Sequence, residues 1–116
     1  SFVRAKDGSF PLVYGTWIGA SGVVQHIEGD QINLTALGSW TSPRTGATWP
    51  SGWRVQIGQI DLDVTVTPEL ADQELNTVES TGVIYWEGAN AVVGTLGGRP
   101  ITGRSYVELT GYATLR

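Results

Sequence analysis

The sequence predicts an all-β domain, an antiparallel barrel or sandwich of about eight strands. Apolar and polar residues alternate with period two in several segments, turn residues recur at strand-length spacing, and no long segment has helical periodicity. The chain has 116 residues, of which 41% are hydrophobic and 16% are charged. This balance is typical of a folded chain. We therefore expect residues 1–116 to form a single domain.

The clearest alternation lies in the middle of the chain. Two alternating runs, residues 53–57 and 60–67, are separated by Gly58-Gln59. Apolar residues occupy every second position of the later run, which predicts a strand with one face in the core and the other in water. The short glycine-containing break predicts a hairpin between the two strands.

Further strands are expected before and after this hairpin. Their predicted ranges are residues 12–19, 23–28, 31–40, 83–87, 91–96 and 105–115. Gly88 is expected to separate two of these strands, residues 97–100 to form a turn, and Gly111 to form a bulge in the last strand.

Two segments lack alternation. Residues 41–52 contain proline and glycine and are expected to be a loop, whereas residues 68–81 are expected to be irregular, with room for one helical turn at 69–75. The acidic cluster 72–74 is interpreted as a solvated loop or a lid over a barrel mouth. Metal binding there is less favoured, because no glycine-punctuated calcium motif surrounds the cluster.

Composition excludes several classes of function. The net charge of −4 and the absence of a basic cluster argue against nucleic-acid binding. The chain contains no cysteine, which excludes a disulfide framework and thiolate chemistry. No apolar run approaches the length of a transmembrane helix. No cofactor is expected, since the glycine-rich stretch 94–103 lacks the lysine and following helix of a phosphate-binding loop.

Seven segments, taken in order, carry a resemblance to a known family. They are Asp7-Gly8-Ser9, Trp40-Thr41-Ser42-Pro43, Trp49-Pro50-Ser51-Gly52-Trp53, Ala71-Asp72-Gln73-Glu74-Leu75, Tyr85-Trp86-Glu87-Gly88, Gly97-Gly98-Arg99-Pro100 and Tyr106-Val107-Glu108-Leu109-Thr110-Gly111-Tyr112. Together they resemble the C-terminal half of the lipocalin-like family of carotenoid 1,2-hydratase, also called hydroxyneurosporene synthase, and of the AttH-like secreted hydrolases. The last two aromatic segments are the most specific part of the pattern.

The resemblance implies two lipocalin-like β-barrels in one protein, of which this chain would be the second. It implies an elongated apolar ligand, an isoprenoid or a polyene, and a hydro-lyase or cyclase activity. In the family, the acid- and histidine-containing segment belongs to the N-terminal half, so catalysis by this chain would need that half as a partner. A secreted or periplasmic location is also implied.

Two carboxylates are the candidate catalytic groups. Glu87 and Glu108 each lie among tyrosines on a predicted strand, and a buried carboxylic acid could protonate an alkene. The alternative is that each is a structural carboxylate satisfied by arginine, tyrosine or backbone groups. The candidate ligand-binding residues are Tyr85, Trp86, Tyr106, Tyr112, Trp40 and Trp53.

Other hypotheses remain open from the sequence. The domain could be a non-catalytic carbohydrate- or small-molecule-binding module, which would present several coplanar tryptophans on an exposed face. It could also be a purely structural half of a larger protein, or a homo-oligomer. His26, the only histidine, has no evident partner and is interpreted as a surface strand residue.

Overall fold

The computed structural model describes residues 1–114, which form twelve β-strands and two short 3-10 turns and contain no α-helix. The strands are β1 (Phe2–Val3), β2 (Leu12–Val13), β3 (Gly15–Ile18), β4 (Val24–Ile27), β5 (Ile32–Ala36), β6 (Ser39–Thr41), β7 (Thr48–Pro50), β8 (Trp53–Ile57), β9 (Leu62–Pro68), β10 (Glu74–Thr77), β11 (Val83–Leu96) and β12 (Arg99–Thr110). All strand pairs are antiparallel. The predicted all-β antiparallel class is confirmed.

Six strands form one curled sheet organised around β11. On one edge β11 pairs with β12, from Tyr85 opposite Thr110 to Leu96 opposite Arg99. On its other edge β11 pairs first with β10 and then with β9, and β8 and β5 follow β9. Among the described residues β5 and β12 do not pair with each other, so the sheet is a curled half-barrel.

Three two-stranded sheets flank this half-barrel. They are β1–β2, β3–β4 and β6–β7. The β6–β7 pair sets Trp40 directly opposite Trp49. It arises within residues 41–52, so the prediction of a plain loop there is wrong for β7. The segment contains a short strand because residues 48–50 pair antiparallel with residues 39–41 of β6.

The core lies on one face of the curled sheet, which we call the inner face. Alternate residues of β9 and β11 point into it, including Val64, Val66 and Trp86. The predicted alternation of β9 is thus confirmed from Leu62 onward. Phe2 covers the core from the N-terminal side, with its ring centroid 5.1 Å from that of Trp53. We call the opposite, solvent-facing side the outer face.

The β8–β9 hairpin forms as predicted, with Ile57 opposite Leu62. Its connection is longer than the expected Gly58-Gln59, because a 3-10 turn occupies Gly58–Ile60 and Asp61 adopts a left-handed conformation at φ 51°. Residues 58–61 therefore connect β8 to β9, whose register begins with Ile57 opposite Leu62.

β11 is one continuous strand, so the prediction of two strands separated at Gly88 is wrong. The side-chain amide of Gln73 lies where a Cβ of residue 88 would be. That amide accepts a hydrogen bond from the Ala89 N–H at 2.9 Å and donates to the Ala89 carbonyl at 3.0 Å. Gly88 therefore makes room for a side chain that satisfies the strand, and the chain does not turn there.

The segment 68–81 also contains more structure than predicted, because β10 pairs with the start of β11. No helical turn occurs at residues 69–75. β12 begins at Arg99, within the predicted turn, and ends at Thr110. Gly111 has φ 85° and follows the strand, so it ends β12 and is not a bulge. Residue 115, the predicted end of this strand, lies outside the described residues.

Gly94 provides a stability prediction. A Cβ at this position would collide with the carbonyl oxygen of Asp63 and approach the Val64 Cα to 2.6 Å, so β9 and β11 would have to separate. We expect Gly94→Ala to lower the free energy of unfolding by about 2 kcal/mol or more. The matched control is Gly103→Ala on β12, whose Cβ would meet only Val92 at 3.9 Å.

Urea unfolding of the two variants and the parent protein measures this difference. Equal midpoints for both variants would show that the close approach of the strands at Gly94 does not limit stability.

Candidate functional site

The two candidate catalytic carboxylates lie on neighbouring strands and face each other. Glu87 of β11 is the register partner of Glu108 of β12. Both point to the outer face, because their chain neighbours Trp86 and Leu109 are buried on the inner face. Glu87 is half-buried and Glu108 is exposed. The pair therefore lies on the solvent side of the sheet.

Tyr106 lies beside these carboxylates, and we call Glu87, Tyr106 and Glu108 the acidic patch. Partial desolvation, together with the charges of Glu87 and Glu108, raises the pKa of the Tyr106 phenol. Like charges directly opposite each other on a sheet repel. Within residues 1–114 neither glutamate forms an ion pair. Tyr85 is half-buried on the same face, opposite Thr110.

Two of the predicted ligand-binding tryptophans belong to the core. Trp86 is 2% exposed, and its indole N–H donates to the Ala71 carbonyl at 2.9 Å. Trp53 is 5% exposed and packs against Phe2 and Phe10. Both side chains are on the inner face, so the sheet separates them from the acidic patch.

The remaining predicted aromatics lie near the β6–β7 pair. Trp40 is half-buried opposite Trp49. The ring of Tyr112 lies 5.5 Å from that of Trp49, and its buried hydroxyl has no hydrogen-bond partner within the described part of the chain. The eight predicted site residues are therefore distributed over three places: the outer face, the inner core and the β6–β7 end.

Glu74, which the sequence predicts to lie in a solvated loop, carries a buried carboxylate with three side-chain donors. The side chain of Glu74 is fully buried. It accepts hydrogen bonds from the Ser42 hydroxyl at 2.7 Å, the Thr45 hydroxyl at 2.8 Å and the Trp49 indole N–H at 2.8 Å. Three donors compensate for the desolvation of the charge. Glu74 thereby fixes the β6–β7 connection to β10.

An ion pair at the surface completes this arrangement. Arg44 donates to both carboxylate oxygens of Asp72, with the Nη2–Oδ1 distance at 2.7 Å. The hydrogen bond from Arg44 lowers the pKa of the Asp72 carboxyl. Because the folded pKa is lowered, this contribution to stability is present above the usual value near 3.8 and is lost as pH falls below it. Residues 72–74 thus fasten the start of β10 to the β6–β7 connection and do not form a lid; we call them the Glu74 clasp.

Two unpartnered polar groups face the inner side of the sheet. Asn90 is 1% exposed and lies opposite Ser105 in the β11–β12 register. The Asn90 amide nitrogen donates to the Gly88 carbonyl at 2.8 Å. Its Oδ1 and the Ser105 hydroxyl have no hydrogen-bond partner within residues 1–114. A buried acceptor and a buried hydroxyl therefore lie without partners in this range, on the face that carries the core.

His26 matches its interpretation as a surface strand residue. Its side chain is 59% exposed, and its Nε2 lies 3.5 Å from the Glu28 carboxylate. In residues 1–114 no cluster of three or more His, Cys, Asp or Glu residues could hold a metal ion. That same part of the chain has no helix of the length and apolarity needed to cross a membrane.

Comparisons with known proteins agree on one family. A family model described as AttH-like matches residues 2–112. The chain is similar to the crystal structure of an AttH protein from Nitrosomonas europaea, with 38% identity and a TM-score of 0.79, over 97% of this chain and 33% of that one. A comparison with curated protein sequences gave no match.

A second solved structure has the same fold. Kievitone hydratase from Nectria haematococca is 20% identical with a TM-score of 0.72, over 90% of this chain and 31% of its own. At that identity the likeness concerns the fold, which is lipocalin-like. The chain spans about a third of the length of both solved proteins.

The Glu74 clasp leads to a second stability prediction. Glu74→Gln replaces an acceptor oxygen with an NH2 group among donors, so we expect a loss of about 2 kcal/mol in the free energy of unfolding. Glu79→Gln is the matched control, because it makes the same change on an exposed side chain in a turn outside the clasp, and it should leave the free energy of unfolding close to that of the parent protein. Urea unfolding and the Trp49 indole N–H resonance report the change. Equal losses in both variants would contradict the clasp.

Proposed function

The chain belongs to the AttH-like family, and on that premise we propose that it binds an elongated apolar molecule, such as an isoprenoid or a polyene, on the inner face of its curled sheet. The observation that carries the proposal is an incompletely covered row of apolar side chains beside the unpartnered Asn90 and Ser105. Ligand sites are commonly apolar surfaces with a few convergent polar groups.

The apolar row crosses four strands of the sheet, and its side chains are less buried than those of the core. We define it by Val55, Leu62, Val92 and Ile101, which lie on β8, β9, β11 and β12 and are half-buried. They point to the same side as the fully buried Val64. Covering such side chains with an apolar ligand is favourable by roughly 25 cal/mol for each Å² removed from water. The row lies on the same side of the curled sheet as the core, against which its side chains pack.

The polar pair offers a way to orient the ligand. Asn90 Oδ1 and the Ser105 hydroxyl face the same side of the sheet and are shielded from solvent. A ligand hydroxyl that donates to the first and accepts from the second therefore has to displace the side chains that cover them. A buried polar group without a partner costs about 1–3 kcal/mol, so a ligand that supplied the missing hydrogen bonds would recover part of that cost. An apolar chain with a single polar end fits this combination best.

A second proposal concerns catalysis. Glu87 and Glu108 would act together, one protonating a carbon–carbon double bond and the other accepting a proton from the water that captures the cation. Ring closure of the cation would give cyclisation instead. The support is their direct opposition on β11 and β12 and the hydratase named among the structural neighbours.

Such catalysis requires a second polypeptide surface. The acidic patch is on the outer face, so a substrate there would be open to water unless another domain covered it. We propose that the N-terminal lipocalin-like half of a longer protein supplies this cover and further site residues. The solved relatives are about three times as long as this chain, which is consistent with an additional domain.

The carbohydrate-binding alternative has less support. Of the five tryptophans, Trp49, Trp53 and Trp86 are buried, and Trp17 and Trp40 are half-buried. The described residues therefore present no exposed row of coplanar tryptophans. Stacking on a sugar ring would need such a row.

Ligand binding is tested with geranylgeraniol, a C20 isoprenoid alcohol, monitored by tryptophan fluorescence and native mass spectrometry. We expect saturable binding that Ile101→Asn weakens about tenfold, because it places an amide in the apolar row. The control is Val93→Asn, which makes a similar change at an exposed outer-face position on the neighbouring strand. Equal affinities for the two variants, or no saturation, would reject the inner-face site.

Catalysis is tested in a protein that contains the N-terminal half together with this domain, by incorporation of ¹⁸O from labelled water into acyclic isoprenoid alkenes. We expect Glu87→Gln and Glu108→Gln each to lower the hydration rate at least about 100-fold, since general acid–base catalysis contributes 10²–10⁴-fold. Glu79→Gln, in an exposed turn, is the control for loss of one negative charge. Retained activity in Glu87→Gln would exclude the proposed acid.

A further inference from the structure

The edge of the sheet formed by β12 is long and unpaired. β12 spans Arg99–Thr110 and pairs only with β11 in the described part of the chain. A long open edge offers a row of backbone donors and acceptors to another strand. This edge is separate from the proposed ligand site on the inner face, but it includes Tyr106 and Glu108 of the acidic patch.

The register identifies which residues of β12 direct their backbone groups outward. In an antiparallel pair, backbone groups alternate between the two sides of a strand. Odd-numbered residues of β11 bond away from β12: the Glu87 N–H donates to the Gln73 carbonyl, and the Ala89 carbonyl accepts from the Glu69 N–H. The even-numbered residues of β11 therefore bond to the odd-numbered residues of β12.

The even-numbered residues of β12 consequently face the open edge. They are Pro100, Thr102, Arg104, Tyr106, Glu108 and Thr110, and all are exposed. Pro100 agrees with this assignment, because proline lacks an N–H and is tolerated in a strand where no ladder bond is donated. The edge that follows it, Thr102–Thr110, is free of proline.

The side chains along this edge are complementary to themselves. If a second β12 lies antiparallel with Tyr106 opposite the partner's Tyr106, Arg104 faces the partner's Glu108. By symmetry Glu108 faces the partner's Arg104, and Thr102 faces Thr110. Opposite charges and aromatic pairs directly across a ladder are favourable. Two ion pairs and one tyrosine pair would therefore form about a single two-fold axis.

The charges also select this register. Shifting the partner strand by two residues in either direction sets Glu108 or Arg104 opposite an uncharged residue, so both ion pairs are lost. Shifting it by four residues brings Arg104 opposite Arg104 or Glu108 opposite Glu108, which is repulsive. Within residues 1–114, Arg104 and Glu108 have no other ion-pair partner.

We propose that β12 is a dimerisation edge, where a second copy of this chain adds its own β12 across a two-fold axis at Tyr106. The two curled sheets would then become one continuous sheet. The partner's Arg104 would offset the repulsion between Glu87 and Glu108.

The experiment is sedimentation equilibrium of the whole chain between about 1 and 500 μM, since an edge-to-edge interface of limited area gives micromolar affinity. We expect the mass to rise from 12.4 kDa toward twice that value. Amide hydrogen exchange at Thr102, Arg104, Tyr106 and Glu108 should slow as the protein concentration increases.

Reversing the charge of Arg104 or of Glu108 distinguishes dimerisation through β12 from dimerisation through another surface. Arg104→Glu and Glu108→Arg each place like charges opposite one another, so we expect each variant alone to dimerise about tenfold more weakly. A mixture of the two variants restores both ion pairs and should form a heterodimer, detectable by native mass spectrometry. Lys6→Glu makes the same charge change as Arg104→Glu but on the N-terminal segment, and this variant should dimerise like the parent protein.

Tyr106→Pro removes an outward N–H and should abolish the dimer while leaving the thermal unfolding of the monomer close to that of the parent protein. A parent chain that stays monomeric up to 500 μM would overturn the proposal. So would a dimer without concentration-dependent amide protection on β12, or a mixture of the charge variants that dimerises no better than either alone.

Discussion

The hydrogen bonds between the Gln73 amide and the backbone of Ala89 hold the point at which the long strand β11 changes neighbours. β11 has one neighbour, β12, along one side but changes from β10 to β9 along the other. At that change the Ala89 carbonyl accepts a hydrogen bond from the Glu69 N–H at 3.0 Å, but among the described residues the Ala89 N–H has no backbone partner, and unsatisfied backbone groups are costly in a folded interior. The Gln73 side chain supplies the missing bond. Because of it, a single long strand can connect the Glu74 clasp to the rest of the half-barrel.

The same strand separates two chemical environments. Its even-numbered residues enter the apolar interior, whereas its odd-numbered residues face solvent. Trp86 and Asn90 consequently belong to the inner face, and Glu87 belongs to the outer one. Residues adjacent in sequence therefore cannot share a pocket here. A binding role for the inner face and a catalytic role for the outer face are separate hypotheses. The first requires apolar side chains that a ligand can cover, and the second requires another domain that covers the acidic patch.

The sequence was sufficient to predict the features that depend on local periodicity. The β8–β9 hairpin, the buried face of β9 and the all-antiparallel class follow from alternation and from short breaks. The family could also be recognised from the sequence, through its aromatic and acidic segments. What could not be predicted rests on long-range contacts. Glu74 receives its donors from Ser42, Thr45 and Trp49, which are 25–32 residues away. A polar stretch in the sequence does not reveal which of its charges will be surrounded by donors.

The Gly97-Gly98 turn also bears on how the molecule folds. It joins β11 to β12 through two residues, and the β8–β9 hairpin is closed by four. Both can form early, because little chain entropy is lost when residues close in sequence meet. The β9–β11 ladder must bring together residues as far apart as Leu62 and Leu96, so we expect it to form later. We therefore expect the interior to be assembled from two preformed hairpins, with the N-terminal strands burying their aromatic residues after those hairpins have joined.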